Sequence, residues 1–565
     1  MKVIVVGGVA AGASAAARLR RLDEKAEIIV FEQGEHVSFS NCGLPYHLGG
    51  TIPDADDLVM MTPRAFKMRH NIEVRVNSRV TSIDRAAKTV TVEPKEGPAY
   101  TESYDKLILA PGAAPIVPGS IPGVRSPHVF TLRNVTDVKA IKAYIDEQGI
   151  TRAAVVGGGF IGVEVAENLA SAGLLVTLVE GADQILAPFD YDMAQILHKE
   201  MVDNGVRLEL NSMLAAVHPD HITVNCQGEA RDIPAQMVVL AIGVSPETAL
   251  ARDAGLAIGE TRGIKVDADW RTSDEDIYAV GDAVEGFDRL ARRPGRLALA
   301  GPAQRQARAA ADHIHGIPAD NRGFIGSSCV RVFDQNAAAT GLSEKAAHKA
   351  GIPCEAVYLL PTDKVSLMPD AAYMAFKLVF ETPTGRILGA QAIGRGDAVR
   401  RIDVIATLIS MNGTLADLKE LELCYSPVYG TAKDVVNLAA LVGLNVLSGR
   451  VKQVPVTAVR RLVEQGACII DVREQREYNA GHLKGAVNIP LSQFRERMAE
   501  VPRDVPVYLH CRTGQRSYYA LCELLGNGYT NAFNVSGSFL GICLYEYFND
   551  RAMGREPIVT AYNFN

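Results

Sequence analysis

Short apolar runs alternate with glycine-rich turns along this chain. Residues 3–6 are an apolar run, residues 7–12 a glycine-rich turn, residues 13–22 a small and apolar stretch suited to a helix, and residues 27–31 a second apolar run ending at Glu32. That order predicts one βαβ unit. It recurs at residues 153–156, 157–162, 163–172 and 175–179, with Glu180 closing the second run. Two units about 150 residues apart predict two nucleotide-binding domains. Residues 71–84 and 89–94 read as sheet insertions. A mixed stretch from 326 to 444, with strands at 331–333, 375–380 and 387–392 and a helix near 397–411, predicts a third domain. Residues 445–455, NVLSGRVKQVP, suit a linker. Strands at 467–472, 486–489 and 505–510, separated by helical segments, predict a small α/β domain over 456–550, and the tail 551–565 gives no clear signal.

At 565 residues the chain exceeds the roughly 250–300 at which one core stops growing, so several domains are expected. A net charge of −7, from 58 basic and 65 acidic residues, invites no polyanion and excludes nucleic acid as a natural partner. The opening MKVIVVGGVAAGASAAARLRR has the apolar core of a secretory signal, but Arg18, Arg20 and Arg21 follow the apolar stretch instead of preceding it. With no run of eighteen uncharged apolar residues, a cytoplasmic chain without membrane insertion is expected. Nine scattered cysteines show no C-x-x-C and no metal-ligand spacing, so reduced thiols acting singly are expected, and no metal.

Gly157-Gly158-Gly159-Phe160-Ile161-Gly162 fits G-x-G-x-x-G between a strand and a helix, where backbone N–H groups approach a pyrophosphate. Glu180 follows 18 residues after Gly162, where an acid accepts a ribose 2′-OH and repels a 2′-phosphate, so NADH is favoured over NADPH. The first unit departs from the fingerprint at Val9, with Gly8 beside it, while Gly7, Gly12 and Glu32 fit.

Residues 272–282, ending in Gly281-Asp282, resemble the FAD-closing motif of the two-dinucleotide-domain flavoproteins. Residues 107–113 and 240–246 resemble the two linking turns of that family. The resemblance implies FAD in the first domain, against Gly7, Gly8, Ala10, Ala11, Gly12, Glu32, Val80, Ala110, Pro111, Gly112, Gly281, Asp282, Pro302 and Ala303. It implies NADH in the second, with Glu164 and Gly243 joining the glycine loop.

Ser38-Phe39-Ser40-Asn41-Cys42-Gly43-Leu44-Pro45-Tyr46 lies where these flavoproteins keep a redox cysteine, and the next cysteine along the chain is Cys226. A sulfur with no protein partner must pair with a small thiol, and a helix N-terminus or cation nearby is expected to favour its thiolate. The segment resembles the coenzyme A-disulfide reductase branch of the single-cysteine pyridine nucleotide disulfide oxidoreductases, over residues 1 to about 440. That implies a mixed disulfide of Cys42 with coenzyme A, and a coenzyme path along Ser14, Arg18, Arg21, Ser38, Asn41, Lys67 and Lys433. Residues 423–434 resemble the family's dimer-domain motif, which implies a homodimer with Tyr425 reaching the partner's cysteine. A second tyrosine found before the proline turn in that branch is absent from Val365-Ser366-Leu367-Met368-Pro369-Asp370, with Tyr373 the nearest substitute. That departure weighs against coenzyme A disulfide as the main substrate.

His510-Cys511-Arg512-Thr513-Gly514-Gln515-Arg516-Ser517 follows an apolar strand and precedes a helix, so its N–H groups form an anion nest, which Arg512 and Arg516 are expected to reinforce. With residues 471–490 upstream it resembles the rhodanese domain. The loop from Cys511 to Arg516 has six residues, one fewer than related phosphatases, which favours sulfur over phosphate.

The expected architecture is α/β. Two Rossmann-like dinucleotide-binding domains occupy 1–325, with the FAD part at about 1–115 and 245–325 and the NADH part at about 150–244. An α+β dimerisation domain follows at 326–444, then a linker at 445–455, an α/β rhodanese domain at 456–550 and a tail at 551–565. The expected activity is NADH-dependent reduction of a coenzyme A persulfide or polysulfide, with Cys42, Cys511 and Tyr425 catalytic. Coenzyme A-disulfide reductase, NADH oxidase or peroxidase, and a slow redox sensor are the alternatives.

Overall fold

The computed structural model describes residues 1–318 and 320–564. The chain divides into two compact units, Met1–Asp183 with Glu209–Phe324, and Gln184–Leu208 with Ile325–Asn565.

Both βαβ units lie in the first. Strands Glu27–Phe31, Lys2–Val6, Lys106–Leu109 and Ile277–Ala279 run parallel side by side, and the helix Ala10–Leu22 packs on Ala300–Ile314. Val3, Ile4 and Val5 are fully buried, which is why this strand reads as an unbroken apolar run and not as an alternation. The second parallel sheet sets Leu175–Val179, Arg152–Val156, Met237–Leu240 and Val129–Thr131 in that order. The expected strand at 71–84 is two strands: Glu73–Arg75 extends the first parallel sheet, while Ser78–Asp84 pairs antiparallel with Thr89–Pro94.

Both glycine helices start three residues earlier than expected, at Ala10 and Phe160. The chain reverses at a single residue, Gly7 (φ +96°) and Gly157 (φ +113°), in the left-handed region that glycine tolerates. Gly12 and Gly162 therefore lie inside the helices. A Cβ at Gly12 would sit 1.7 Å from the Gly7 carbonyl oxygen, and one at Gly162 1.8 Å from that of Gly157.

The second unit carries an antiparallel sheet ordered Ser327–Val332, Gln335–Gly341, Ile387–Gly394, Met374–Glu381 and Cys354–Leu359. It also carries a parallel sheet of five strands where three were expected, ordered Gln453–Val454, Ala532–Val535, Val507–His510, Cys468–Asp471 and Val487–Asn488. The segment 445–455 is not a free linker. Its start belongs to the helix Val435–Leu447, and Gln453–Val454 forms the sheet edge by pairing with Asn534 and Val535. Residues 551–553 close the helix Ser538–Met553, and farther along Val559 bridges Leu483 and Thr560 N–H donates to the His482 carbonyl. Backbone pairing of this kind leaves no hydrophobic period to read. Among the described residues, no helix is long and apolar enough to cross a membrane.

The helix Tyr191–Asp203 packs against Ser538–Met553 within this unit, burying His198 completely. His198 Nε2 accepts from Ile185 N–H at 3.2 Å, so the ring is neutral, and burial pushes its pKa down from 6.5 to about 3. Between those values the unfolded chain binds a proton that the folded chain refuses, so stability falls as pH falls, by about 1.4 kcal/mol per unit. Urea unfolding should show about 2 kcal/mol lost between pH 7 and pH 5. The His198→Leu variant, weaker at pH 7 for want of an acceptor for Ile185 N–H, should lack that acid slope; an equal slope in both would remove His198 as its source.

Candidate active site

Each glycine loop is held from below by the acid that closes the second strand. Glu32 accepts from Gly8 N–H and Gly34 N–H, both at 2.8 Å. Glu180 accepts from Gly158 N–H at 2.5 Å and Ala182 N–H at 2.8 Å. A carboxylate offers about four acceptor sites, so each acid keeps capacity for ribose hydroxyls. Val9 and Gly159 are the equivalent N-cap residues, with φ of −101° and −75°, so backbone conformation demands glycine at neither position.

The distant motifs converge on the first loop. A Cβ at Gly7 would meet the Ala110 carbonyl oxygen at 2.1 Å, and one at Gly281 would meet the Ala11 methyl at 3.1 Å. Gly281 N–H donates to Gln306 Oε1 at 2.7 Å, a partner the sequence did not mark. Strand Val244–Pro246, which follows Gly243, pairs with Ala113–Pro115, which follows Gly112, so the two linking turns are joined to each other. Ala303 is buried and Pro302 half-buried on the helix behind Gly281, while Val80 belongs to the core and offers a ligand only its backbone. A backbone cradle too tight for side chains, a half-buried Asp282 and open N–H groups at both helix starts fit two dinucleotides, FAD at the first loop and NADH at the second.

Cys42 sits in the 3₁₀ turn Asn41–Gly43, ahead of the short helix Leu44–Leu48. Ser38, at φ +49°, donates its N–H to the Gly8 carbonyl, and the Asn41 side chain donates to the Arg133 carbonyl, which fixes the turn beside the first loop. All nine cysteines are free thiols. The expected thiolate-favouring surroundings are not what the fold supplies. Cys42 is exposed, yet partial desolvation of its sulfur, then the charges of Glu164 and Asp282, push the thiol pKa up.

Of the expected coenzyme residues, Ser14, Arg18 and Arg21 share a helix face. Ser14 bonds the Ala10 carbonyl, Arg18 pairs with Asp312 at 2.5 Å, and Arg21 is exposed. Lys67 bonds Asn71 Oδ1 at 2.8 Å. Lys433 and Tyr425 belong to the second unit, on an exposed loop where Tyr425 is 50% exposed.

In that unit Cys511 is 1% exposed. Its sulfur accepts from Gly514 N–H at 3.1 Å and from Ser517 Oγ at 3.6 Å, just ahead of the helix Gln515–Gly526. Thr513 lies between, in the bend that turns the chain into Gly514. Both arginines are engaged elsewhere than expected. Arg516 forks onto Glu477 at 2.6 and 2.7 Å, and Arg512 donates to the Asn563 carbonyl at 3.0 Å and lies 6.0 Å from the Tyr373 ring centre. Backbone N–H and a hydroxyl therefore hold the sulfur, with the arginines bracing the loop. Below it Asp471 and Arg473 form a buried pair, and His510 Nε2 lies 3.7 Å from Asp471. Ser517, Glu477 and Ser538, whose hydroxyl accepts from Cys511 N–H, complete the site.

Glu180 generates a direct test of nucleotide choice. NADH should exceed NADPH by about tenfold in kcat/KM, and Glu180→Ala should narrow the ratio to a few-fold. Equal values for the two donors in the unmodified chain would remove Glu180 from that role.

The pyridine nucleotide-disulphide oxidoreductase family matches residues 1–307, its dimerisation domain 327–434, and the rhodanese-like domain 456–544. The coenzyme A disulfide reductase of Staphylococcus haemolyticus is 33% identical over 440 residues, 77% of this chain and 98% of that protein. The structure of reduced Bacillus anthracis CoADR-RHD is similar at TM-score 0.92 and 44% identity, covering 97% of this chain and 98% of the other. That of an NAD-dependent persulfide reductase from A. fulgidus is similar at TM-score 0.90 and 34% identity, covering 95% and 99%. The chain belongs to the pyridine nucleotide-disulphide oxidoreductases, as an FAD- and NADH-dependent member carrying the family's dimerisation domain and a C-terminal rhodanese-like domain.

Proposed function

We propose that the chain is a cytoplasmic, homodimeric, NADH-dependent reductase of coenzyme A persulfide or polysulfide, with coenzyme A disulfide as a second substrate. One observation carries the reading: a single thiol, Cys42, in a turn fixed beside the FAD loop, shares a chain with a buried thiol, Cys511, held by N–H and hydroxyl donors. Relatives named for coenzyme A disulfide and persulfide reduction support it. Nine free thiols suit the reducing cytoplasm. The homodimer is supported by the dimerisation domain and by its exposed apolar loop residues Leu367, Tyr425, Val428 and Tyr429.

Bound FAD, cradled by the Gly7 and Gly281 loops, would take the hydride of NADH and supply two electrons to a disulfide at Cys42. The Cys42 thiolate attacks the inner sulfur of R–S–SH; the S–S bond breaks, HS⁻ leaves with the electron pair, and Cys42–S–S–R forms. Two electrons and a proton then return the thiolate and release RSH. Ser14, Arg18 and Arg21 line the path of the coenzyme, and Tyr425 serves the partner subunit's cysteine. Cys511 carries sulfane sulfur as a persulfide, whose anion the Gly514 N–H and Ser517 hydroxyl hold.

The test is NADH oxidation with sulfide followed in parallel. Faster turnover on coenzyme A persulfide than on coenzyme A disulfide, with sulfide released in step with NADH, is expected; preference for the disulfide would reverse the order of substrates. Cys42→Ser should abolish both reductions while FAD stays bound. Cys511→Ser should keep NADH-linked turnover and lose sulfur transfer from thiosulfate to cyanide, and retained transfer would exclude Cys511 as the carrier.

A further inference from the structure

Within the second unit, two tyrosines of the dimerisation domain reach the sulfur loop, although both lie outside the rhodanese-like residues 456–544. The first acts through a helix start. A helix leaves its first N–H groups without partners of its own, and those of Ser538–Met553 are given to the loop. Phe539 N–H donates to the Cys511 carbonyl at 3.1 Å, and Leu540 N–H to the Arg512 carbonyl at 3.0 Å. With both carbonyls turned to the helix, the Gly514 N–H faces the sulfur at 3.1 Å. That helix start is seated on the buried Tyr358 of the strand Cys354–Leu359. A Cβ at Gly537 would stand 2.6 Å from the Tyr358 ring and one at Gly541 3.1 Å from it, so the ring fills the room that two absent methyls leave.

The second contact is at the Arg512 side chain, which the main mechanism leaves unused. Its guanidinium donates to the Asn563 carbonyl at 3.0 Å and lies 6.0 Å from the centre of the Tyr373 ring, at the outer reach of a cation–π contact. Arg512 is buried and a guanidinium keeps its charge, so the groups around it decide where it can sit. Tyr373 is itself well fixed. It bridges Thr362, Ala372 N–H beside it donates to Asp363 Oδ1 at 2.9 Å, and the Asp363 carbonyl accepts from Arg401 at 3.2 Å. A loop closed in this way presents its ring in one place.

Resting on the reading of Cys511 as the sulfur carrier, we propose that the dimerisation domain completes the sulfur-transfer site, with Tyr373 a positioning residue that acts through Arg512. Arg512 follows Cys511 directly in the chain. A swing of its side chain pulls its carbonyl off Leu540 N–H and turns the Gly514 N–H away from the sulfur. Tyr373 therefore serves Cys511, and does not stand in for the missing tyrosine of the coenzyme path.

The test is sulfur transfer from thiosulfate to cyanide by the FAD-loaded full chain. The Cys511 thiolate attacks the outer sulfur of thiosulfate, the S–S bond breaks and sulfite leaves with the electron pair. Cyanide then takes the outer sulfur of the persulfide as thiocyanate and returns the thiolate. Tyr373 is 40% exposed, so its replacement leaves the core intact. Tyr373→Ala should lower kcat/KM for transfer about fivefold, while Tyr373→Phe, which keeps the ring face, should hold the rate. In an Arg512→Ala background Tyr373→Ala should add no further loss, the mark of an effect that travels through Arg512. Unmoved transfer in Tyr373→Ala, or the same fivefold loss with and without Arg512, would overturn the proposal. So would slower NADH-linked reduction of coenzyme A persulfide with transfer unmoved, which would return Tyr373 to the coenzyme path. Transfer retained in Cys511→Ser would instead strike the reading of Cys511 as the carrier, and the proposal with it.

Discussion

The architecture of the first unit rests on backbone touching backbone. The carbonyl of Gly7 lies beneath Gly12, and that of Gly157 beneath Gly162, at separations that admit no Cβ. This contact starts each helix directly off its strand, points the helix N–H groups at the loop, and brings the acid of the second strand within reach of the loop amide. Substituting any of these glycines would separate strand from helix and take the nucleotide cradle with it. A looser contact, Gly281 against the Ala11 methyl at 3.1 Å, sets Asp282 beside the first helix, so a motif 270 residues away packs on the first.

That constraint explains which parts of the chain were legible. Glycine spacing, the acids Glu32 and Glu180 and the Cys511 loop are local patterns, each tied to its structural reason within a few tens of residues. The helix starts were misplaced because Gly12 and Gly162 read as turn residues, although their role is close packing inside a helix. Gln453–Val454 and residues 559–560 were invisible for another reason. Their place comes from main-chain hydrogen bonds to segments far along the sequence, which any side chain permits. Tyr46 and Glu164, joined by a hydrogen bond at 3.4 Å, are 118 residues apart, and nothing in either neighbourhood announces the other.

The two sulfur sites solve opposite electrostatic problems. Around Cys42 the nearby ionisable groups are carboxylates, and the thiol is held toward its neutral form. A thiolate there is high in energy and correspondingly eager to form a disulfide, which suits a sulfur that spends its cycle covalently paired. Around Cys511 the nearest groups are donors, Gly514 N–H and Ser517 Oγ, in a site closed to solvent. Such donors suit the outer sulfur of a bound persulfide, as a carrier of sulfane sulfur needs.

The Cys511 loop nevertheless does not stand alone. Its arginines are held by Glu477 and by the Asn563 carbonyl, and its backbone by Ser538, so three segments outside the six-residue loop set its shape. Within the same unit the loop's domain is stitched to the antiparallel sheet. Ser536 bonds both the N–H and the carbonyl of Tyr358, Gln453 donates to the Ala356 carbonyl, and Gly537 and Gly541 leave room for the Tyr358 ring. These bonds fall on Cys354–Leu359, an edge strand whose free side would otherwise be open to pairing with another chain. Covering that edge therefore does two things at once: it closes a liability of the dimerisation sheet, and it fixes the orientation in which Arg512 meets Tyr373.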